Sequence, residues 1–376
     1  MRLLPLSFLA RSLSSCALAL AAAGGLHAAP LEVTTLTPLT QTAPTSKTPP
    51  IRRFPFVSGL DAHVTARINN LLFIETFEVP APVHTSYGLR EVSEEVWQHQ
   101  PEIDFQVQRN DARIFSVMLS TEGCGAYCEN YTTPYAFDAA NGRRLGSEDI
   151  FTLAGRTALS KQLKAANLTA IQTEIHRLQD EETSARQRKQ PPSEDRTAAL
   201  KMYAECAQFR QSPEYGTAQG KLQIQTQALV LSMERCSNHA LRALDNLGDF
   251  SLRFSPEQLK PWLSAYGRTL LLGETPATAA PTTPWGQVLH GKISANMPVT
   301  LHLGPLSPDG TLSGSYFYDR YRKPIALSGR FETGTLTLTE ADSKETPPPR
   351  LVLTPQGEGL RGHWEGASTL DIVLEP

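Results

Sequence analysis

From Gly286 to the C-terminus the chain reads as eight short segments in which apolar and polar residues alternate: GQVLHGKIS, MPVTLHLG, TLSGSYFYD, PIALSGRF, TLTLTE, PRLVLTP, GLRGHWEG and TLDIVLEP. Alternation with a period of two puts every second side chain on one face, as in a strand. The turn residues between segments recur at a nearly regular spacing that leaves no room for a helix. Residues 285–376 are therefore predicted to form an all-β meander, closed as a barrel or stacked as a sandwich. Three segments share Leu-x-Gly with an aromatic residue two positions on: Leu312, Gly314, Tyr316; Leu327, Gly329, Phe331; Leu360, Gly362, Trp364. Glycine weakens a strand unless something packs close, and the expectation here is that each glycine makes room for a neighbouring ring. Tyr316 and Tyr318 fall on one strand face. With Trp364, and with Tyr127 upstream, they form the candidate binding face, core packing being the plainer use of the same rings.

The segment Gly273 to Pro284, GETPATAAPTTP, has no hydrophobic pattern and reads as a linker, residues 273–284. Before it, residues 51–272 mix both periodicities, as an α+β domain does. ARINNLLFIETF is helical in spacing, and EIDFQVQRNDARIFSVMLSTE is a strand–turn–strand. PYAFDAANGRRLG turns at Asn141-Gly142, and Ser147 is the expected cap of a short helix in SEDIF. A long helix follows, with Leu159, Leu163, Ile171, Ile175 and Leu178 on one side; it loses its apolar stripe before Pro191. A second helix is capped by Ser193 and carries Cys206 near its end. A strand or hairpin, a short helix from Ser237, a strand and a helical segment opened by Ser255-Pro256 complete the domain, with Gly267 as the expected stop.

The first 28 residues have the form of a cleaved signal peptide: Arg2 and Arg11, a short apolar run, then Ala28-Ala29. Residues 29–50, rich in Thr and Pro, read as a flexible leader. The expected location is the periplasm or the exterior, with no transmembrane helix after cleavage. Apart from Cys16 the chain has Cys124, Cys128, Cys206 and Cys236, an even number suited to two disulfides in an oxidising compartment. Four cysteines allow three pairings; Cys124–Cys128 with Cys206–Cys236 is preferred. Zinc held by these cysteines and His239 is the competing reading, but only one pair is close and its C-x3-C spacing is loose. The net charge of −3 offers no basic stripe for nucleic acid.

No G-x-S-x-G elbow, H-E-x-x-H pair, phosphate loop or dinucleotide fingerprint is present, and no catalytic, metal or cofactor residue is assigned. STEGCGAYCENYTTPYAFDAANGRRLGSEDIF resembles the extracellular domain shared by RsiV-type anti-sigma factors and PdaC-type peptidoglycan deacetylases. Phe137, Asp138, Asn141, Gly142, Asp149, Ile150 and Phe151 occupy that pattern. Ile68-Asn69 and FSPEQLKPWL match its early helix and closing segment, so the resemblance spans about residues 51–272. Two features depart from it. Tyr127 stands where the family has a histidine, and TEIHRLQDEETSARQRKQPPSEDR is a long helical insertion. The resemblance implies a sensing or accessory module, one branch of which recognises lysozyme; the deacetylase's catalytic domain is absent. The resemblance also implies that the cysteine pair pins a turn that relatives hold with glycines. The last ninety or so residues resemble a small β-domain of uncharacterised exported bacterial proteins. The expected function is a non-enzymatic binding or sensing protein of the cell envelope, directed at a cell-wall-related protein or peptidoglycan. A cell-wall glycan hydrolase or deacetylase and a structural envelope protein are the alternatives.

Overall fold

The structure, a computed structural model, describes residues 30–38, 51–59, 61–82, 96–97, 100, 102–124, 128–212 and 220–376. It is an α+β region followed by a closed, all-antiparallel barrel of eight strands. In the barrel, β9 (Val288–Ile293), β10 (Met297–Leu303), β11 (Thr311–Tyr318), β12 (Ile325–Glu332), β13 (Thr335–Glu340), β14 (Arg350–Gln356), β15 (Gly359–Glu365) and β16 (Thr369–Glu375) follow one another in space as in sequence. Pairing of Ile372 with Ile293 closes the last strand on the first. The alternation seen in sequence is the inside–outside alternation of this barrel. Leu289, Leu301, Leu327, Leu338, Leu353 and Leu360 fill its interior and are buried, so it is a packed core and not a channel.

The glycines of the Leu-x-Gly segments do something other than make room for rings. A methyl group on Gly329 would lie 1.9 Å from the Thr337 carbonyl oxygen, and one on Gly362 would lie 2.0 Å from that of Val352. The intruding group is the backbone of the adjacent strand. The strands of a small barrel must bend and coil sharply to close, and these positions are where neighbouring backbones approach nearest.

The α+β region begins with a strand that the sequence reading missed. β1 (Glu32–Leu36) pairs antiparallel with β2 (Phe54–Ser58), and Leu36 is buried. Residues 32–36 are thus sheet and not flexible leader; pairing with β2 holds the strand, and that partner lies some twenty residues away, beyond the reach of local periodicity. Helix α1 (Ala62–Phe77) is capped by Asp61, whose carboxylate accepts from the His63 and Val64 amides. Asn69 on its inner side completes the edge of β2: its Oδ1 accepts from the Val57 amide at 2.9 Å and its Nδ2 donates to the Val57 carbonyl at 2.8 Å. This gives the Ile68-Asn69 pair a physical role. In the same core Phe54 packs edge to face on Phe73 and Phe77 on Trp97, with Phe54 tilted against Phe77.

The sheet β3 (Glu102–Asn110), β4 (Ile114–Cys124), β5 (Cys128–Asp138) lies against this helix. At the end of β5 the Asp138 carboxylate accepts from the Ala140 amide, the Asn141 side chain and the Tyr266 hydroxyl, and Gly142 takes φ +72°. That is the Asn-Gly turn expected from sequence. Helix α2 (Ser147–Ile150) is capped by Gly146 and not by Ser147; the Asp149 carboxylate reaches back to accept from the Gly146 amide at 2.8 Å.

Helices α3 (Leu153–Gln187) and α4 (Glu194–Gln211) form an antiparallel hairpin. Ile171, Leu178, Met202 and Tyr203 make its small core, and Arg196 meets Glu182 at its wet end. Ser193 caps α4 as expected. The sheet β6 (Lys221–Ile224), β7 (Leu229–Met233), β8 (Phe250–Phe254) packs on α3. The short helix expected from Ser237 is a 3-10 segment, His239–Leu244, capped by Asn238. Ser255 caps α5 (Pro256–Leu259) with Gln258 completing the box. Gly267 does not stop the chain: it sits inside α6 (Ala265–Leu272), where a side chain would collide with the Ile150 carbonyl 2.1 Å away, and the helix ends at Gly273, φ +68°. Among the described residues no helix is long and apolar enough to cross a membrane.

Candidate functional site

In an antiparallel meander every second strand ends at the same rim. β11, β13 and β15 all run toward one end of the barrel, and their last inward-facing side chains are Tyr316 and Tyr318, Glu340, and Trp364. Topology thus converges residues that are 24 positions apart in sequence on either side of Glu340. The Tyr316 hydroxyl donates to Glu340 Oε1 at 2.7 Å, and the Trp364 indole N–H donates to the same oxygen at 3.4 Å. The Tyr316 and Tyr318 rings stand edge to face at 5.5 Å, and Tyr321, in the turn after β11, lies 6.5 Å beyond Tyr318. Burial first, then the bond to Glu340 and the neighbouring Tyr318, push the Tyr316 phenol far above its ordinary pKa. It therefore stays a neutral donor locked onto the carboxylate.

The sequence-stated face is corrected in one respect. Tyr316 is 1 % exposed and belongs to the barrel core, whereas Tyr318 and Trp364 are half-buried at the rim. The exposed ring is Tyr321, at 63 %. Tyr127 lies outside the described residues. Glu340 was missed, although its signal was present: in TLTLTE it continues the alternation of Leu336 and Leu338, which puts a carboxylate on the apolar face.

Cys206 and Cys236 are joined in a disulfide with Cα atoms 5.5 Å apart. The backbones of Cys124 and Cys128 are register partners at the tip of β4 and β5, and their side chains lie outside the description. His239 stands 3.8 Å from Glu129, which also pairs with Arg242.

Two further features adjoin the barrel. An open groove of ≈ 640 Å³ runs along the outer face of β9 and β16, with His290, Lys292, Asp371 and Glu375 on its walls. It mixes both signs of charge without a convergent set of donors, and the rim around Glu340 is the better-built site. On the adjoining outer face of β9, β10 and β11, α1 docks. Val288 and Phe317 join the core around α1, and Arg67 reaches Glu358 at 3.0 Å. Glu75 is held by Arg144 and by His302 Nε2 at 3.2 Å. His290 links Asn70 (3.3 Å to Nε2) to Thr300 (3.1 Å to Nδ1), and Thr300 donates to Asp319 at 2.8 Å. Since the Thr300 proton goes to Asp319, His290 Nδ1 must donate and Nε2 must accept, the neutral tautomer. Asn70 cannot turn to accept instead, because its oxygen holds the Ala81 amide at 2.8 Å.

This interface is expected to be acid-labile. Burial, aided by Arg67 and His63 and opposed by Asp319, depresses His290 below its ordinary 6.5. Burial alone would raise Glu75, but His302 and Arg144 outweigh it and hold it below 4.5. As pH falls through 6.5 the unfolded histidine takes a proton that the folded one refuses, so stability drops there first. Glu75 adds its loss further down, as pH falls through its lowered folded value. The melting temperature should fall by several degrees between pH 7.5 and 5 in the native protein, and His290→Gln should flatten the first part of that decline. Parallel declines in both proteins would show that His290 is not responsible.

No family model matches this chain, and no curated protein matches it. Among solved structures it is similar to the crystal structure of a member of the DUF3298 family from Bacteroides fragilis, at 13 % identity and a TM-score of 0.36. The match covers 63 % of this chain and 95 % of that one. At that score the likeness carries no weight for fold or function.

Proposed function

We propose that this chain is an exported, non-catalytic binding protein of the bacterial cell envelope that holds peptidoglycan at the rim of its barrel. The observation that carries the reading is the half-buried Glu340 carboxylate, held by Trp364 and by Tyr316, from which the rings of Tyr318 and Tyr321 lead outward to the exposed rim. Aromatic rings beside a fixed hydrogen-bonding group are how proteins grip ligands that are apolar on one face and polar at the edge. The signal-like N-terminus and the Cys206–Cys236 bridge support export. The resemblance of residues 51–272 to the RsiV and PdaC extracellular domain supports an envelope setting.

Purified full-length protein should sediment with isolated peptidoglycan sacculi, and Trp364→Ala with Tyr321→Ala should reduce the bound fraction several-fold. Absence of sedimentation, together with an envelope-extract pull-down that recovers no partner, would overturn the proposal. Capture of a lysozyme-like protein without sacculus binding would replace peptidoglycan with a protein ligand.

A further inference from the structure

The geometry points to an ammonium group as what the barrel rim recognises: we infer that Glu340, Tyr318, Tyr321 and Trp364 form a site for an organic cation. The inference deepens the peptidoglycan reading, since cell-wall peptides and amino sugars carry free amines. Both donors to Glu340, the Tyr316 hydroxyl and the Trp364 indole, are neutral, and both fall on Oε1. No lysine, arginine or histidine among the described residues pairs with this carboxylate. A half-buried carboxylate that receives only neutral hydrogen-bond donors has no cation set against it by the fold, and its natural complement is a cation.

The rings reinforce that choice. Aromatic faces attract cations through their quadrupole, and more strongly where water is partly excluded. The rim already shows the preference within the chain: the Arg320 guanidinium lies 5.6 Å from the centre of the Tyr321 ring. A divalent metal is the poorer fit, because one carboxylate and aromatic carbon do not supply the six or so oxygen ligands that calcium or magnesium takes. A sugar hydroxyl could bond to Glu340 but would only add a third neutral donor to the two already there.

The test uses the full chain and the Trp364 indole N–H signal in proton–nitrogen NMR spectra, assigned with Trp364→Phe. Tetramethylammonium and n-butylammonium are titrated separately, with neopentyl alcohol and n-butanol as neutral counterparts. Saturable shifts with the cations and not with the alcohols are expected. A stronger response to tetramethylammonium would indicate a quaternary headgroup, and a stronger response to n-butylammonium a primary amine. Glu340→Gln keeps an acceptor for Tyr316 and Trp364 while removing the charge, and should weaken cation binding roughly tenfold or more. If that variant does not fold, exposed Tyr321→Ala should weaken binding instead. Equal shifts with the alcohols, no shift with either cation, or unchanged binding in a folded Glu340→Gln protein would overturn the inference. Sacculus binding that survives in Glu340→Gln without any cation response would sink the ammonium site and leave the peptidoglycan reading standing. Cation binding without sacculus binding would do the reverse.

Discussion

Replacing Cys206 and Cys236 together with serine should lower the melting temperature on the order of 10 °C. The bridge spans 30 residues, and closing a loop of that length removes unfolded-state entropy equivalent to about 3–4 kcal/mol. It ties α4 to the chain just before the His239–Leu244 segment, beside the core of Ile171, Leu178, Met202 and Tyr203. The neighbourhood should stay folded without it. The Tyr203 hydroxyl donates to Asp245 Oδ1 at 2.9 Å, and Asp245 accepts from the Ser237 and Gly248 amides. The loss should therefore appear as stability and not as altered secondary structure. Scanning calorimetry with and without reductant is the measurement: reductant should lower the native protein toward the double mutant and leave the mutant nearly where it was. An unchanged melting temperature in the mutant would refute the entropic argument.

Arg143→Ala should be at least as damaging, about 3–5 kcal/mol. Arg143 is 2 % exposed. Its guanidinium bonds the Thr283 carbonyl at 2.8 Å, the Thr283 hydroxyl at 3.0 Å and Asp149 at 3.3 Å. Burial already raises Asp149, with Glu148 adding to the effect and Arg143 and the Gly146 amide opposing it. Deleting the arginine strands that carboxylate and frees the segment before the barrel, which Thr283 anchors. Arg143→Met with Asp149→Asn removes both charges and retains an acceptor for the Gly146 amide, so it should cost clearly less than Arg143→Ala. Urea titrations with a common m-value would decide; equal losses in the two variants would show that the buried charge is not the source.

Much of the architecture was legible because it rests on local chemistry. The eight barrel strands, the α3–α4 hairpin and the caps at Ser193 and Ser255 each follow from a periodicity or a side-chain oxygen within a few residues. Where a local rule failed, either a distant group had intervened or the helix began one residue earlier than its pattern suggested. Gly267 reads as a stop, yet it is a helical residue kept small by the Ile150 carbonyl. Ser147 reads as a cap, yet Asp149 bonds the Gly146 amide.

The candidate site divides along the same line. Alternation alone assigned Tyr316 and Tyr318 to one face, because strand period is a property of the backbone, while Trp364, on another strand, could only be expected to join them. That this face is the inside of a closed barrel, that β11, β13 and β15 end at one rim, and that Glu340 meets Tyr316 and Trp364 there are consequences of strand order and closure. The pairing of β1 with β2 and the docking of α1 on β9 are of the same kind. Sequence determined which residues alternate, cap and turn, since those effects act over a few positions. Tertiary structure decided which face is enclosed and which charge lacks a cation, since both depend on groups the chain brings together only when it folds.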